Sequence, residues 1–196
     1  MKAVFICLIL IGAASWTHAA PSSLLLEPSV GFRSETVLLT DLSQNETKLK
    51  ASSPVYGLKF GYRSPIGVDV NLAYDYSNGK MEVTGESDKS KFTHQTASAQ
   101  LGINALGLMK IYLGYAFLNE LNIDGFLTRP QFKLAGPAYL VGIQFKVFQY
   151  VNIGAQYNLN QFNQITGSAY ALGDDTEKYF TKIDSQDYSI NLSLDF

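Results

Sequence analysis

His94 stands in the run Phe92-Thr93-His94-Gln95-Thr96-Ala97-Ser98, with three hydroxyl side chains close by in sequence. A histidine can serve as a general base, and a serine or threonine that it activates can attack an acyl carbon. Such chemistry needs base, nucleophile and an orienting group in mutual contact, and spacing along one strand does not supply that. The reading adopted is a solvated histidine near a strand end. The run Gly173-Asp174-Asp175-Thr176-Glu177 offers three carboxylates to a divalent cation, but without the spacing of a dedicated calcium loop, so it reads as a solvated acidic loop. No phosphate-cradling loop, paired-cysteine motif or histidine cluster occurs. Cys7 is the sole cysteine, so no internal disulfide can form. No catalytic, cofactor-binding or metal-ligating residue is assigned, no cofactor is expected, and the chain reads as a non-enzyme.

Ten charged residues stand out for a different reason. Glu27, Arg33, Glu35, Lys59, Arg63, Asp69, Asp75, Lys110, Lys146 and Asp195 all lie in stretches where apolar and polar residues alternate strictly. There are eight such stretches, at residues 25–35, 55–63, 68–76, 96–104, 109–117, 138–147, 151–160 and 188–196. Alternation with a period of two is a β-strand with one oily and one polar face. The ten comprise five bases and five acids, a balanced set that should pair if one confined space holds them all. A tight turn at Ser64–Gly67 would place Arg63 opposite Asp69.

The chain has 196 residues and a formal net charge of −2, with no basic patch suited to nucleic acid. Residues 1–19 combine Lys2, an apolar run from Val4 to Ala14 and small residues around Ala19, the layout of a cleaved secretory signal peptide. Residues 20–196 then form one domain. Nothing in them approaches the ~20 apolar residues of a membrane helix, so a membrane protein would have to be a barrel.

Sorting each strand by parity decides which face meets which solvent. The oily face is free of charge and runs through Phe32, Leu58, Phe60, Leu72, Leu101, Leu113, Val141 and Ile153. Its aromatics gather at the two ends of the strands: Tyr56, Tyr74, Tyr76, Tyr115, Tyr139, Tyr157 and Tyr188 at one, Tyr62, Phe145 and Phe196 at the other. Two aromatic girdles around an aliphatic band match two membrane interfaces. Glycines 31, 57, 61, 102, 114, 142 and 154 lie on the charged face, where they make room in a crowded bore. Connections alternate between short ones (64–67, 105–108, 148–150) and long polar ones (36–54, 77–95, 118–137, 162–187). The fold class predicted is all-β: an eight-stranded, antiparallel, up-and-down transmembrane β-barrel with short periplasmic turns and long extracellular loops.

The chain ends Tyr188-Ser-Ile190-Asn-Leu192-Ser-Leu194-Asp-Phe196. With this tail it resembles the small outer-membrane barrels of Gram-negative bacteria, the OmpX and OmpA transmembrane-domain type. The resemblance implies a signal for the barrel assembly machinery in Tyr188, Ile190, Leu192, Leu194 and Phe196, and it implies insertion into the outer membrane among its lipids and lipopolysaccharide. It assigns no subfamily. The expected role is structural or surface-interactive, through extracellular loops that meet an unknown external ligand, in a monomer whose lumen is salt-bridged and closed. The alternative is a narrow, porin-like passage for small solutes, apolar ones included. Further readings are a lipid A-modifying enzyme, of which eight-stranded examples exist, and a soluble ligand carrier with the faces reversed.

Overall fold

A computed structural model describes residues 23–84, 89–105, 107–125 and 130–196. The proposed signal peptide lies outside them. The strands are β1 (Ser23–Asp41), β2 (Glu46–Arg63), β3 (Val68–Val83), β4 (Lys89–Ala105), β5 (Met109–Ile123), β6 (Phe132–Ala135), β7 (Ala138–Lys146), β8 (Val151–Asn160), β9 (Gln164–Gly167), β10 (Tyr170–Asp175) and β11 (Phe180–Leu194). Eight of them form a closed antiparallel ring in the order β1-β2-β3-β4-β5-β7-β8-β11, and β11 returns to β1. The closing seam runs from Ser29 opposite Ser193 upwards, with Gly31 opposite Asn191. A β-carbon on Gly31 would lie 2.1 Å from the Ile190 carbonyl oxygen, so only glycine lets the two backbones approach this closely.

Six strands are longer than a bilayer requires. β1 to β5 and β11 run to 15–19 residues, against about 9–11 for a tilted crossing. Much of what reads as long loop in the sequence is therefore continued strand. The cause is a reversal of polarity along each strand. In the lower half, oily residues such as Phe32, Leu58, Leu72, Leu113 and Ile190 are exposed on the outer wall, and charges fill the bore. Above the girdle of Tyr56, Tyr74, Tyr115, Tyr139 and Tyr188, the outer wall carries Lys50, Lys80, Glu82 and Lys91, while Val37, Leu39, Leu49, Met81, Phe92, Leu121 and Leu134 are buried inside. Inward and outward positions continue in step, but the solvent outside changes from hydrocarbon to water. Buried and exposed chemistry exchange places with it.

Two strands of the ring carry an irregularity, β11 near its upper end, where Thr40 pairs Lys182 but Asp41 pairs Phe180, and β5 at mid-height. Between Ala97 and Ser98 of β4, the partners on β5 jump from Leu118 to Ala116, so Phe117 is an extra residue. Phe117 and Leu118 both face outward, and beyond them Asn119, Leu121 and Ile123 turn into the bore. A bulge of this kind re-aims every later side chain of its strand.

The top is extended by a small sheet. The upper part of β5 pairs with β6, β6 with β9, and β9 with β10. Breaks at Gly136-Pro137 and at Gln161–Asn163 separate these pieces from β7 and β8. Because β9 takes β10 as its partner, β8 stays with β11 only as far as Asn160 opposite Ser185. Above that level the two walls part and leave a lateral notch of about 680 Å³, lined by Asn160, Phe162, Ile183, Ser185 and Gln186 among others.

Candidate functional site

The bore is filled in tiers. Lowest, at the short-turn rim, Arg63 sits opposite Asp69 and bonds it through Nε at 3.0 Å and Nη2 at 3.2 Å, with Asp195 at 3.2 Å. Above it Glu27, fully buried, accepts from Lys110 at 3.1 Å and from Gln144 at 2.7 Å, with Lys59 at 3.5 Å. Gln144 also reaches Ser193 at 2.7 Å, and Lys110 lies 3.5 Å from Asp69. Two lysines share one carboxylate here, which is how a buried ion set avoids an uncompensated charge.

In the next tier Tyr112 lies across the bore. Its hydroxyl donates to Gln156 at 3.1 Å, and the Lys59 ammonium stands 4.4 Å from its ring centre. Gly142 makes this possible, since a β-carbon there would be 2.2 Å from the Tyr112 ring. Gln156 passes the chain of hydrogen bonds on to Asn158 at 3.0 Å.

The highest polar tier gathers Arg33, Glu35, Asp75, His94, Asn119 and Asp187, all buried. Asp187 accepts from Asn158 at 2.7 Å and Asn160 at 3.0 Å, and lies 3.4 Å from Arg33. Nδ1 of His94 is 3.0 Å from Glu35 Oε2, and Nε2 is 2.6 Å from Asn119 Oδ1. The apolar core then closes the barrel from above, with Phe162 reaching to 6.4 Å from the His94 ring.

Nine of the ten charged residues singled out in the sequence thus meet inside the barrel. Lys146, the last residue of β7, is exposed at the rim instead. Asp187 belongs to the set but lies in a stretch that reads as loop; the signal was there in the parity it shares with Ser189, Asn191 and Ser193. His94 is the other departure. It is fully buried rather than solvated, because it shares the inward parity of Thr96, Ser98 and Gln100. Both its ring nitrogens are engaged by Glu35 and Asn119, neither of them a hydroxyl nucleophile. The acidic stretch is committed as well: Asp174 takes Lys178 and the Tyr179 hydroxyl, and the hydrogen bond to Asp174 holds the Lys178 ammonium above its ordinary value.

Tyr188, Ile190, Leu192, Leu194 and Phe196 form the oily outer edge of the closing strand. The backbone of Phe196 exchanges hydrogen bonds with Leu26, and its ring stacks on Tyr150 with the planes 15° apart. Higher on the wall, Glu120 receives Lys133 at 3.0 Å and Gln95 at 2.8 Å, while Lys80 and Lys91 face one another across β3 and β4.

No protein-family model matches the sequence, and no curated relative does. Solved structures do match in shape. Ail, the attachment invasion locus protein of Yersinia pestis, in complex with the heparin analogue sucrose octasulfate, superposes with a TM-score of 0.57 at 16% identity, over 89% of this chain and 99% of that one. The outer membrane protein AlkL, solved by solid-state NMR in DMPC bilayers, gives 0.60 at 13% identity over 88% and 90%. Neisserial surface protein A gives 0.50 at 16% over 90% and 100%. With its oily outer belt and ring of eight antiparallel strands, the chain has the closed-barrel fold of the small outer-membrane proteins.

Proposed function

We propose that the chain sits in a bacterial outer membrane as a sealed, non-enzymatic barrel, and that its raised collar is the working surface. The observation that carries this is the double closure of the bore. Ion pairs and Tyr112 fill it at membrane depth, and fully buried side chains such as Leu39, Leu121, Leu134 and Ile165 fill it above. An aqueous path would have to break both. What remains accessible is a stiff, hydrogen-bonded wall standing above the membrane, a scaffold suited to holding binding groups in place.

Lys48, Lys50, Lys80 and Lys91 are exposed on the outer face of β2, β3 and β4 just above the tyrosine girdle. Like charges directly opposed across a strand pair repel. The Lys80–Lys91 pair is relieved when a phosphate of lipopolysaccharide or another polyanion lies over it. The likeness to Ail, crystallised with a polysulfated sugar, supports a surface-interaction role of the same general kind. The edge Tyr188–Phe196 acts as the signal to the barrel assembly machinery, the signal peptide precedes it in the pathway, and the barrel works as a monomer. A second reading, a narrow passage for small apolar solutes, draws on the notch between β8 and β11, which opens at the level of the outer girdle.

Single-channel recording in planar bilayers separates the two. A sealed barrel gives no discrete conductance steps, and vesicles carrying it take up an apolar solute no faster than empty ones. Steps, or accelerated uptake, would overturn the proposal.

A further inference from the structure

The six-membered tier around His94 contains an electrostatic imbalance that the ion pairs do not resolve. Across the bore, Arg33, Lys59, Arg63 and Lys110 oppose Glu27, Glu35, Asp69, Asp75, Asp187 and Asp195, four cations against six carboxylates. The formal excess is two negative charges with the His94 imidazole neutral and one with it protonated against Glu35, in a space shielded from water where such charge is costly. Three of the atoms concerned converge: one ligand atom each from Glu35, His94 and Asp187 lies within 4.8 Å of the others, and all three residues are buried.

The hydrogen bonds around this cluster have the form of supports rather than closures. Asn119 Oδ1 stands 2.6 Å from Nε2 of His94 and accepts from it when that nitrogen carries the proton. Nδ1 lies 3.0 Å from Glu35 Oε2, a donor to it while protonated and a lone pair open to a cation once that proton leaves. A metal cation entering beside the two atoms takes the place of that proton. The other oxygen of Glu35 is buried with no hydrogen-bond partner among the described residues. Asp187, by contrast, is held in place by Asn158, Asn160 and Arg33. A histidine whose far nitrogen meets a carbonyl oxygen, and a carboxylate anchored by amides, are what a metal's outer ring of contacts supplies.

We propose that Glu35, His94 and Asp187 form a binding site for a zinc-like divalent cation. One such ion, bound to the neutral imidazole, cancels the two excess formal charges of the bore. An imidazole with two carboxylates suits zinc and its neighbours better than calcium or magnesium, which favour all-oxygen shells. Arms of about 2.0–2.2 Å bring ligand atoms to roughly 3.3–3.6 Å from one another, which the cluster reaches by small side-chain rotations. An entry path exists: Asn160 and Ser185 line the notch, and the Asn160 amide donates both to Ser185 at 3.2 Å and to Asp187 at 3.0 Å. One side chain therefore separates the notch from a ligand oxygen.

The test uses untagged chain without residues 1–19, refolded in detergent, stripped with chelator and titrated with zinc by calorimetry, with cobalt as an absorption probe. In that chain His94 is the only histidine. The expected results are one equivalent bound, a visible cobalt band of tetrahedral strength, and a shift of the unprotonated imidazole nitrogen on adding zinc. His94→Gln and Glu35→Gln should each weaken binding by at least tenfold, a factor of about 10–100 being typical even for supporting residues. Lys146→Gln should leave it unchanged. Zinc uptake unaltered in His94→Gln overturns the proposal. So does an imidazole in the parent chain that keeps protons on both nitrogens in excess zinc, since the tier is then a plain ion pair; that readout decides the matter even if both variants fail to fold.

Discussion

Leu121→Ala tests the reversal of polarity at a single strand. Leu121 is fully buried above the girdle, paired with Leu134 of β6 on one side and His94 of β4 on the other. Truncating a buried leucine costs about 2–5 kcal/mol, more when the walls cannot collapse into the gap. Here the walls are hydrogen-bonded strands, so relaxation is small and the upper part of that range applies. The neighbouring Asn122 points outward, opposite Thr93 and Lys133. If the wall outside is bathed in water at this height, Asn122→Ala should change stability by no more than about 0.5 kcal/mol.

The two variants differ most clearly in amide hydrogen exchange. The collar opens separately from the membrane-embedded ring, since local opening follows local packing. A loss of about 4–5 kcal/mol speeds exchange of β5 and β6 collar amides by roughly a thousand-fold to several thousand-fold, at 1.36 kcal/mol per decade. Amides of the lower strands, such as Leu72 and Ile190, should hold their protection. Equal effects of Leu121→Ala and Asn122→Ala would refute the reasoning, because the two faces of β5 would then meet the same environment. Unchanged exchange in the collar of Leu121→Ala would refute it too.

Three further outcomes follow from the same geometry. Glu27→Gln leaves Lys59 and Lys110 facing a neutral amide and should destabilise by about 3–5 kcal/mol, visible as a lower urea midpoint, with most of the loss recovered when Lys59→Met is added. Gly31→Ala pushes a methyl group into the Ile190 carbonyl at the closing seam, so the folded band on a detergent gel should convert to the unfolded one at lower temperature than in the parent protein. Leu113→Arg, with the parent leucine 61% exposed on the oily belt, should cost about 2–4 kcal/mol in bilayer refolding, whereas Asn122→Arg on the same strand should be near neutral.

The barrel was legible in the sequence because period-two alternation is a one-dimensional record of two faces, and the lower strands carry it without a break. Parity placed Glu27, Arg33, Lys59, Asp69 and Lys110 together before any coordinate did. The collar was harder to read. Its strands continue through Val37, Leu39, Leu49 and Met81, but there the apolar residues occupy inward positions, so a search for an oily outer face sees the pattern end and infers a loop. His94 was misjudged for the same reason: height along the strand suggested water, while parity pointed inward. Lys146 erred the other way, for inward parity at the last residue of a strand leads only to the rim. The contact between Arg33 and Asp187 crosses the seam between the first strand and the last, and nothing in sequence distance announces it.

The bulge at Phe117 shows how narrowly the upper tier depends on register. Without the extra residue, odd positions of β5 would stay outward, and Leu121 and Ile123 would face water in place of Asn122. Asn119 would leave His94, whose Nε2 would then lose its acceptor. Strand pairing alone does not demand the irregularity, since β4 and β5 are in regular register on either side of it. What demands it is the change of solvent: β5 passes from an oily exterior, where Tyr115 and Phe117 belong outside, to an aqueous one, where Leu121 and Ile123 belong inside. Ile111, Leu113, Tyr115 and Phe117 below, and Leu121 and Ile123 above, all stand on odd numbers, so one added residue is the smallest change that serves both solvents. β1 to β4 manage the crossing by exchanging polar and apolar residues at fixed parity, and β5 manages it by shifting parity under a largely fixed residue pattern.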